Sequence, residues 1–326
     1  TIGTITNATS ASATYTVAEG HVSSDLNTTA TLPLSLSAGT LRDAGDNDVS
    51  LTIPTNENLA DNRAIVIDGV RPTITSLNSS TADSPPPKGI GAAVNVTVNF
   101  SEAVTLSSGG NFRITLETGT SDAILNITSI PGVTSTQATY TVVEGHSSGD
   151  LTANSVALTA GTLTDAAGNT ATLTIPSGQN LADNRAIVID GVRPTITSLN
   201  SSTADSPPPK GIGATVIVTV NFSEAVTLTG GNLLVTLETG TSDAQLTISS
   251  ISSATSAQAT YTVAAGHVSP DLNAIDNISL SAGTLTDAAG NTANLDIPDG
   301  VNLADNRAIV IDGVRPTITA LWSTTP

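Results

Sequence analysis

Carboxylates recur at matching positions along this chain, and side chains of this type bind hard cations. Two series of eight acids run in the same order: Asp83, Glu102, Glu117, Asp122, Asp150, Asp165, Asp183 and Asp190, then Asp205, Glu224, Glu238, Asp243, Asp271, Asp287, Asp305 and Asp312. Oxygen ligands suit calcium, whereas zinc and copper prefer the nitrogen and sulfur of His and Cys. With three histidines and no cysteine, the chain favours oxygen chemistry.

The two series of acids belong to a tandem repeat. Residues 58–92 reappear unchanged at 180–214, and their first part returns at 302–319. The repeat period is 122 residues, as the spacing of Asp68 and Asp190 illustrates. A period of this length allows each repeat to bury its own hydrophobic core.

The repeat boundaries predict four segments. They are the C-terminal part of a repeat at 1–70, a complete repeat at 71–192, a second complete repeat at 193–314 and the start of a further repeat at 315–326. This organisation is typical of an array of similar domains, and we expect the chain to be a window on a longer array.

The hydrophobic pattern of each repeat predicts short β-strands. Val94, Val96, Val98 and Phe100 alternate with polar residues, which is the pattern of a half-buried strand. Similar runs lie at 73–77, 112–116, 124–130, 138–142, 156–163, 171–175 and 186–189. No stretch keeps a helical period, so we predict essentially no helix. The expected fold is all-β, with tandem immunoglobulin-like antiparallel β-sandwich domains and Greek-key connections.

The composition excludes several classes of function. A net charge of −18 and a pI near 4.1 argue against nucleic acid as a partner. The absence of cysteine excludes disulfides, thiolate metal sites and cysteine nucleophiles. No apolar run reaches the roughly 18 residues that a membrane span requires, so we expect no membrane insertion in this segment.

Strands that reverse direction in turn would bring acids together at the junctions between repeats. At the first junction we expect Asp25, Asp61, Asp68, Glu102, Asp165 and Asn169. At the second we expect Asp150, Asp183, Asp190, Glu224, Asp287 and Asn291. Carboxylates that converge with amide and backbone oxygens predict a calcium site. The alternative is that these acids occupy solvated turns, but a turn preference does not explain Glu102, which follows an apolar strand.

Three motifs resemble those of tandem bacterial immunoglobulin-like, cadherin-like repeats in large secreted surface adhesins. They are Phe100-Ser101-Glu102-Ala103-Val104, Asp165-Ala166-Ala167-Gly168-Asn169 and Ile189-Asp190-Gly191-Val192-Arg193-Pro194, and they recur in order in the second complete repeat. The resemblance implies extender domains with calcium bound between them. Carried over residue by residue, the implied ligands are Asp68, Glu102 and Asp165 at one junction and Asp190, Glu224 and Asp287 at the next.

These observations predict a non-enzymatic extender module of a long extracellular protein at the bacterial cell surface, an adhesin stalk stiffened by calcium. Its expected partners are the neighbouring repeats of the same array. One alternative is a building block of an extracellular filament, sheath or surface layer, in which other copies of the protein are partners. A less favoured alternative is a carbohydrate-binding module, since aromatics make up only 2% of the chain.

Overall fold

The chain consists almost entirely of β-strands and loops, so the prediction of an all-β fold is confirmed. A computed structural model describes residues 1–28, 34–275, 278–322 and 324. The helices of this described part are single turns of four residues. None of them is long or apolar enough to cross a membrane.

The elements follow one another in a similar order in the two complete repeats. Residues 1–70 contain β1 (Val22–Ser23), α1 (Leu59–Asn62) and β2 (Ile67–Asp68). Residues 71–192 contain β3 (Ile74–Asn78), β4 (Ala93–Leu106), β5 (Asn111–Leu116), β6 (Ala123–Ile127), β7 (Pro131–Thr141), β8 (Ser147–Ser148), β9 (Ala153–Ala160), β10 (Leu163–Thr164), α2 (Leu181–Asn184) and β11 (Ile189–Asp190). Residues 193–314 contain β12 (Ile196–Ser201), β13 (Lys210–Gly211), β14 (Thr215–Thr229), β15 (Leu233–Leu237), β16 (Ala244–Ile248), β17 (Ala254–Thr262), β18 (Val268–Ser269), β19 (Ser279–Leu280), β20 (Thr284–Thr286), α3 (Leu303–Asn306) and β21 (Ile311–Asp312).

Each complete repeat has two main antiparallel sheets that form a β-sandwich. A smaller sheet lies at the linker: β8 with β11 in the first repeat, and β18, β21 and β13 in the second, where β13 is parallel to β21. In the first repeat, β4 lies between β3 and β7, and its end pairs with β10. The second sheet has β5 between β6 and β9. In the second repeat, β14 pairs with β12, β17 and β20, and β15 lies between β16 and β19.

The hydrophobic core lies between the two sheets. Val96, Val98 and Phe100 of β4 are buried in one cluster with Phe112 and Ile114 of β5. The rings of Phe100 and Phe112 meet edge to face, with their centroids 6.0 Å apart. Each buried aliphatic or aromatic side chain contributes roughly 1.5–3 kcal/mol, so the apolar faces that alternation predicts hold the sandwich together.

Two sequence-based boundaries are wrong. Glu102, expected to follow an apolar strand, lies inside β4, because this strand continues past it to pair with β10. The run 171–175, expected to be a strand, forms only single bridges. Its backbone donors are divided between two partners: Ala171 bonds to the Leu163 carbonyl, and Thr172 bonds to the carbonyl of Pro72. The other expected runs overlap observed strands with shifted ends.

A four-residue helical turn recurs three times and depends on a capping box. In α2 the side chain of Asn180 accepts the Leu181 N–H, and Asp183 accepts the Asn180 N–H at 2.8 Å. Leu181 is fully buried, whereas Leu59 in the equivalent turn of residues 1–70 is 37% exposed. The isolated turn is too short to be stable alone. Its leucine therefore stabilises the turn only where it packs into a complete hydrophobic core.

We expect Leu181→Ala to lower the free energy of unfolding of the first complete repeat by about 2–5 kcal/mol, because it leaves a cavity in the core. The matched variant Leu59→Ala removes a partly exposed side chain. It should lower the free energy of unfolding of residues 1–70 by less than about 1 kcal/mol. Scanning calorimetry of the full chain measures both. Equal shifts for the two variants would contradict this account of the turn.

Candidate metal centre

Three carboxylates lie close together at each junction between repeats. Asp68, Glu102 and Asp165 each offer one oxygen, and these oxygens lie within 4.8 Å of one another. Asp190, Glu224 and Asp287 form the equivalent group at the next junction. In each group the last aspartate is buried and the other two acids are half-buried. The structure therefore contains two acidic clusters that could hold a metal ion.

Asp190 is fixed to the repeat that precedes the junction. It lies on β11, which pairs with β8, and its carboxylate accepts the Val192 N–H at 3.2 Å. The Gly191 N–H donates to the His146 carbonyl at 2.7 Å. A Cβ at Gly191 would lie 2.4 Å from the carbonyl oxygen of Val143, so only glycine allows the linker to lie this close to the preceding repeat.

Glu224 belongs to the repeat that follows the junction and lies in an irregular part of β14. Pairing between β14 and β17 is regular as far as Asn221 and is next made at Val226. A corresponding irregularity in β4 surrounds Glu102. Strand irregularities of this kind redirect side chains, and here the glutamate joins the linker aspartate and the loop aspartate.

A serine next to each glutamate attaches this part of the strand to the start of the repeat. Ser223 donates its N–H to the Thr195 carbonyl, and its hydroxyl accepts the Thr195 N–H, both at 2.9 Å. Ser101 and Thr73 make the equivalent pair of bonds in the first complete repeat. These bonds fix the backbone beside each glutamate.

Asp287 lies in a loop that its own side chain organises. One carboxylate oxygen accepts the N–H groups of Ala289 and Asn291, each at 2.8 Å. The other oxygen accepts the Asn291 side-chain amide, also at 2.8 Å. Aspartate commonly stabilises turns through such bonds to nearby backbone. The position of this carboxylate is therefore determined within five residues of sequence.

The same loop forms in residues 1–70, whose described part contains only two strands of two residues each. Hydrogen bonds from the side chain and backbone of Asn47 lower the pKa of Asp43. Asp46 stands where Gly168 stands in the next repeat and adopts the left-handed conformation, with φ at 67°. Aspartate tolerates this region better than most residues, so the substitution preserves the loop.

Asn169 and Asn291 were expected to be metal ligands, but the structure gives their amide groups a positioning role. The Asn291 amide nitrogen donates to the Asp190 carbonyl at 2.7 Å and to the Asp287 carboxylate at 2.8 Å. Asn169 makes the same contacts, with 3.0 Å to the carbonyl of Asp68. These contacts use the amide nitrogens, and they connect the linker to the loop.

Asp150 and Asp183, also expected at the metal site, accept backbone hydrogen bonds. Asp150 accepts the Ile187 N–H at 3.1 Å, and Asp183 caps α2. Asp25 and Asp61 have the equivalent roles in residues 1–70. Neither of the two acidic clusters found in the described chain includes these four residues. Asp150 and Asp25 hold backbone that is 37 and 40 residues away in sequence, whereas Asp183 and Asp61 cap four-residue turns.

The clusters are electrostatically unfavourable without a cation. Burial raises the pKa of Glu224, and the charges of Asp190 and Asp287 raise it further. Glu102 shows the same direction of shift from the same causes. Ion pairs in the described chain engage other carboxylates, such as that of Glu144. A bound cation would remove the repulsion among the three acids.

The spacing and chemistry of each cluster would accommodate one oxygen-binding cation. Calcium binds oxygen at 2.3–2.6 Å, so ligand oxygens on opposite sides of one ion lie about 5 Å apart. The three carboxylate oxygens of each cluster, which lie within 4.8 Å of one another, could therefore share one ion. Three carboxylates also supply the hard oxygen donors that this cation prefers.

A formal match to a nucleophile motif, G-x-S-x-G at residues 145–149, has a different structural context. Its two serines form β8, which pairs with the linker strand β11. The motif requires a sharp strand-to-helix turn in hydrolases. His146 stacks on Tyr140 and accepts or donates a hydrogen bond at 2.8 Å through Nδ1, and burial raises the pKa of Tyr140 to about 12.

No protein-family model and no curated protein matches the sequence. The geometry defines the class of site: an acidic cluster at each of two junctions between repeats.

We expect Glu224→Gln to raise the thermal midpoint of the chain at pH 7 in the presence of EDTA. The folded state raises the pKa of Glu224, so it holds the proton more tightly than the unfolded state, and stability falls as pH rises from the ordinary to the raised pKa. Glutamine cannot ionise and avoids this loss. The advantage should disappear below the ordinary pKa of glutamate, where both states are protonated.

Thermal melts at pH 7 and at about pH 3.5, below the ordinary glutamate pKa, measure this difference. Glu238→Gln is the matched control, because Glu238 is exposed and lies outside the clusters. A midpoint for Glu224→Gln at or below that of the wild type at pH 7 would show that repulsion does not strain the junction.

Proposed function

We propose that this chain is a non-enzymatic extender module of a long extracellular bacterial surface protein, stiffened by calcium at the junctions between its domains. The observation that carries the proposal is the placement of the clusters. Each combines one acid from a linker with two acids from the following repeat, and the arrangement recurs 122 residues further along. Acids that merely occupy solvated turns would have no reason to converge at both junctions.

The cation would act by connecting two bodies. Asp190 is attached to the preceding repeat through the pairing of β8 with β11. Glu224 and Asp287 are attached to the following repeat through β14 and its neighbouring loop. An ion that binds all three carboxylates would therefore restrict the linker between the repeats. Without it, mutual repulsion favours their separation and a more mobile junction.

The weak affinity typical of calcium sites between such domains would suit an extracellular setting. Extracellular calcium modules have dissociation constants of about 10⁻⁴ to 10⁻³ M, so such sites fill outside the cell and empty in the cytosol. At tenfold excess over the dissociation constant, each independent site stabilises the folded state by roughly 1.4 kcal/mol. Each junction would then be more mobile during export than outside the cell, where bound calcium would restrict it further.

The fold is consistent with an array that gains reach by repetition. We infer that each β-sandwich is immunoglobulin-like, with the connections that the resemblance to adhesin repeats implies. A strand of about eight residues spans roughly 26 Å at 3.3 Å per residue, so successive repeats can extend the chain over long distances. Neighbouring repeats of the same array are the partners in this function, and the adhesive part lies elsewhere in the parent protein.

Calcium titration of the full chain tests the proposal. We expect calorimetry to detect a heat of calcium binding at two sites. We also expect calcium to raise the thermal midpoint of unfolding and to increase the maximum dimension in small-angle scattering. The double variant Glu102→Gln/Glu224→Gln should lose both sites, because each cluster loses one of its three carboxylates.

The matched control is Glu117→Gln/Glu238→Gln, which removes the same charge from acids outside the clusters and should bind calcium like the wild type. Sedimentation velocity under the same conditions separates stiffening of a monomer from self-association into a filament. If calcium alters neither the midpoint nor the dimensions, the proposed role of the clusters is wrong.

A further inference from the structure

The two complete repeats also contact each other through a loop that contains none of the clustered acids. The loop comprises residues 85–90, with sequence Pro-Pro-Pro-Lys-Gly-Ile, and is called the clasp loop below. The Ile90 N–H donates to the side-chain oxygen of Asn291 at 2.7 Å. These two residues are 201 positions apart and belong to different repeats.

Close packing accompanies this hydrogen bond. A Cβ added at Gly89 would lie 2.4 Å from the carbonyl oxygen of Ala289 and 2.9 Å from the side-chain oxygen of Asn291. The φ angle of Gly89 is outside the left-handed region, so its own backbone does not require glycine. The neighbouring repeat requires glycine at position 89, because any side chain there would separate the two surfaces.

The clasp loop is held firmly by its own repeat. Residues 84–88 run beside the segment that leads to the linker, where Ser84 donates to the Ala186 carbonyl at 2.7 Å and Lys88 donates to the Val188 carbonyl at 2.9 Å. The Lys88 carbonyl in turn accepts the N–H of Asp190 at 3.0 Å. The loop therefore presents the Ile90 N–H from a fixed position.

The acceptor of this hydrogen bond, the side chain of Asn291, is also held in a fixed position. The Asn291 amide nitrogen bonds to the linker carbonyls of Asp190 and Val192 and to the carboxylate of Asp287. With both hydrogens engaged, the amide orientation is determined and its oxygen faces the clasp loop. Asn291 is only 3% exposed, so the bond to Ile90 satisfies an acceptor that water reaches poorly.

The repeats themselves provide an internal comparison. The second complete repeat has the same loop sequence at 207–212, but there Gly211 and Ile212 are exposed, and a Cβ at Gly211 would meet only one atom, at 3.9 Å. Asn169, at a junction where the described residues include no clasp loop, is half-buried rather than buried. The burial follows the contact between repeats and is not a property of either sequence alone.

We propose that the clasp loop is a docking surface for the Asp-Ala-Ala-Gly-Asn loop of the following repeat, and that it orients successive repeats without a metal ion. Neither Gly89 nor Ile90 has a side chain that could bind a cation, and the bond uses a backbone donor. The clasp therefore persists when the acidic clusters are empty. It defines a preferred angle between repeats, which bound calcium would reinforce.

The variant Gly89→Ala tests the clasp in the full chain. The chain has no cysteine, so Ser135→Cys and Ser256→Cys, at exposed positions on β7 and β17, allow one spin label in each repeat. Distances are measured by double electron–electron resonance in EDTA. We expect a single narrow distribution in the labelled parent, and a broadened or shifted one in Gly89→Ala because the added methyl group collides with Ala289.

Gly211→Ala is the matched control, since it makes the same change in the same loop sequence without a neighbouring repeat, and it should leave the distribution unchanged. A Gly89→Ala distribution equal to that of Gly211→Ala would overturn the proposal. Amide exchange of the labelled parent needs no glycine variant: the Ile90 amide should exchange about tenfold more slowly than the Ile212 amide, and equal rates would also overturn it. Because EDTA is present throughout, failure of calcium binding affects neither result.

Discussion

Repulsion among three carboxylates is the constraint on which each junction depends. Like charges at such short distances, in partly buried surroundings, raise the free energy of the folded state. The chain opposes this with backbone hydrogen bonds on every side: a strand pair positions the linker acid, a strand irregularity positions the glutamate, and a self-bonded loop positions the last aspartate. Many hydrogen bonds thus hold carboxylates that repel one another. This arrangement favours a site for a cation over chance placement of the acids.

The strength of local and tertiary contributions differs between parts of the junction. The loop around Asp43 forms the bonds of its counterparts although the described part of residues 1–70 contains only two short strands. The helical turn around Leu59 also forms, yet its leucine remains partly exposed. Short polar loops are thus encoded locally, whereas the approach of the acids requires the sheets to fold and the linker to lie against the preceding repeat.

Strand reversal, predicted from the hydrophobic pattern, placed twelve residues at the two junctions, and the resemblance to adhesin repeats selected from them the six acids that the structure brings together. Glu102 was informative, since an acid directly after an apolar run has no explanation in turn preference. Asp150 and Asp183 lie outside both clusters, and their carboxylates accept the backbone N–H groups of Ile187 and Asn180. An acid in a loop does not reveal from sequence alone which backbone group it meets. Sequence reasoning also missed the bond between Ile90 and Asn291, since a contact between distant repeats leaves no periodic signal in either segment.

The stretch of identical sequence at 58–92 and 180–214 straddles a repeat boundary. It contains the linker, the first strand and the loop that reaches the next repeat. A deletion or duplication of 122 residues with its ends inside this stretch therefore rejoins identical sequence and leaves every remaining boundary chemically the same. The length of such a protein can change in whole steps at the level of its gene, while the geometry at each step stays constant.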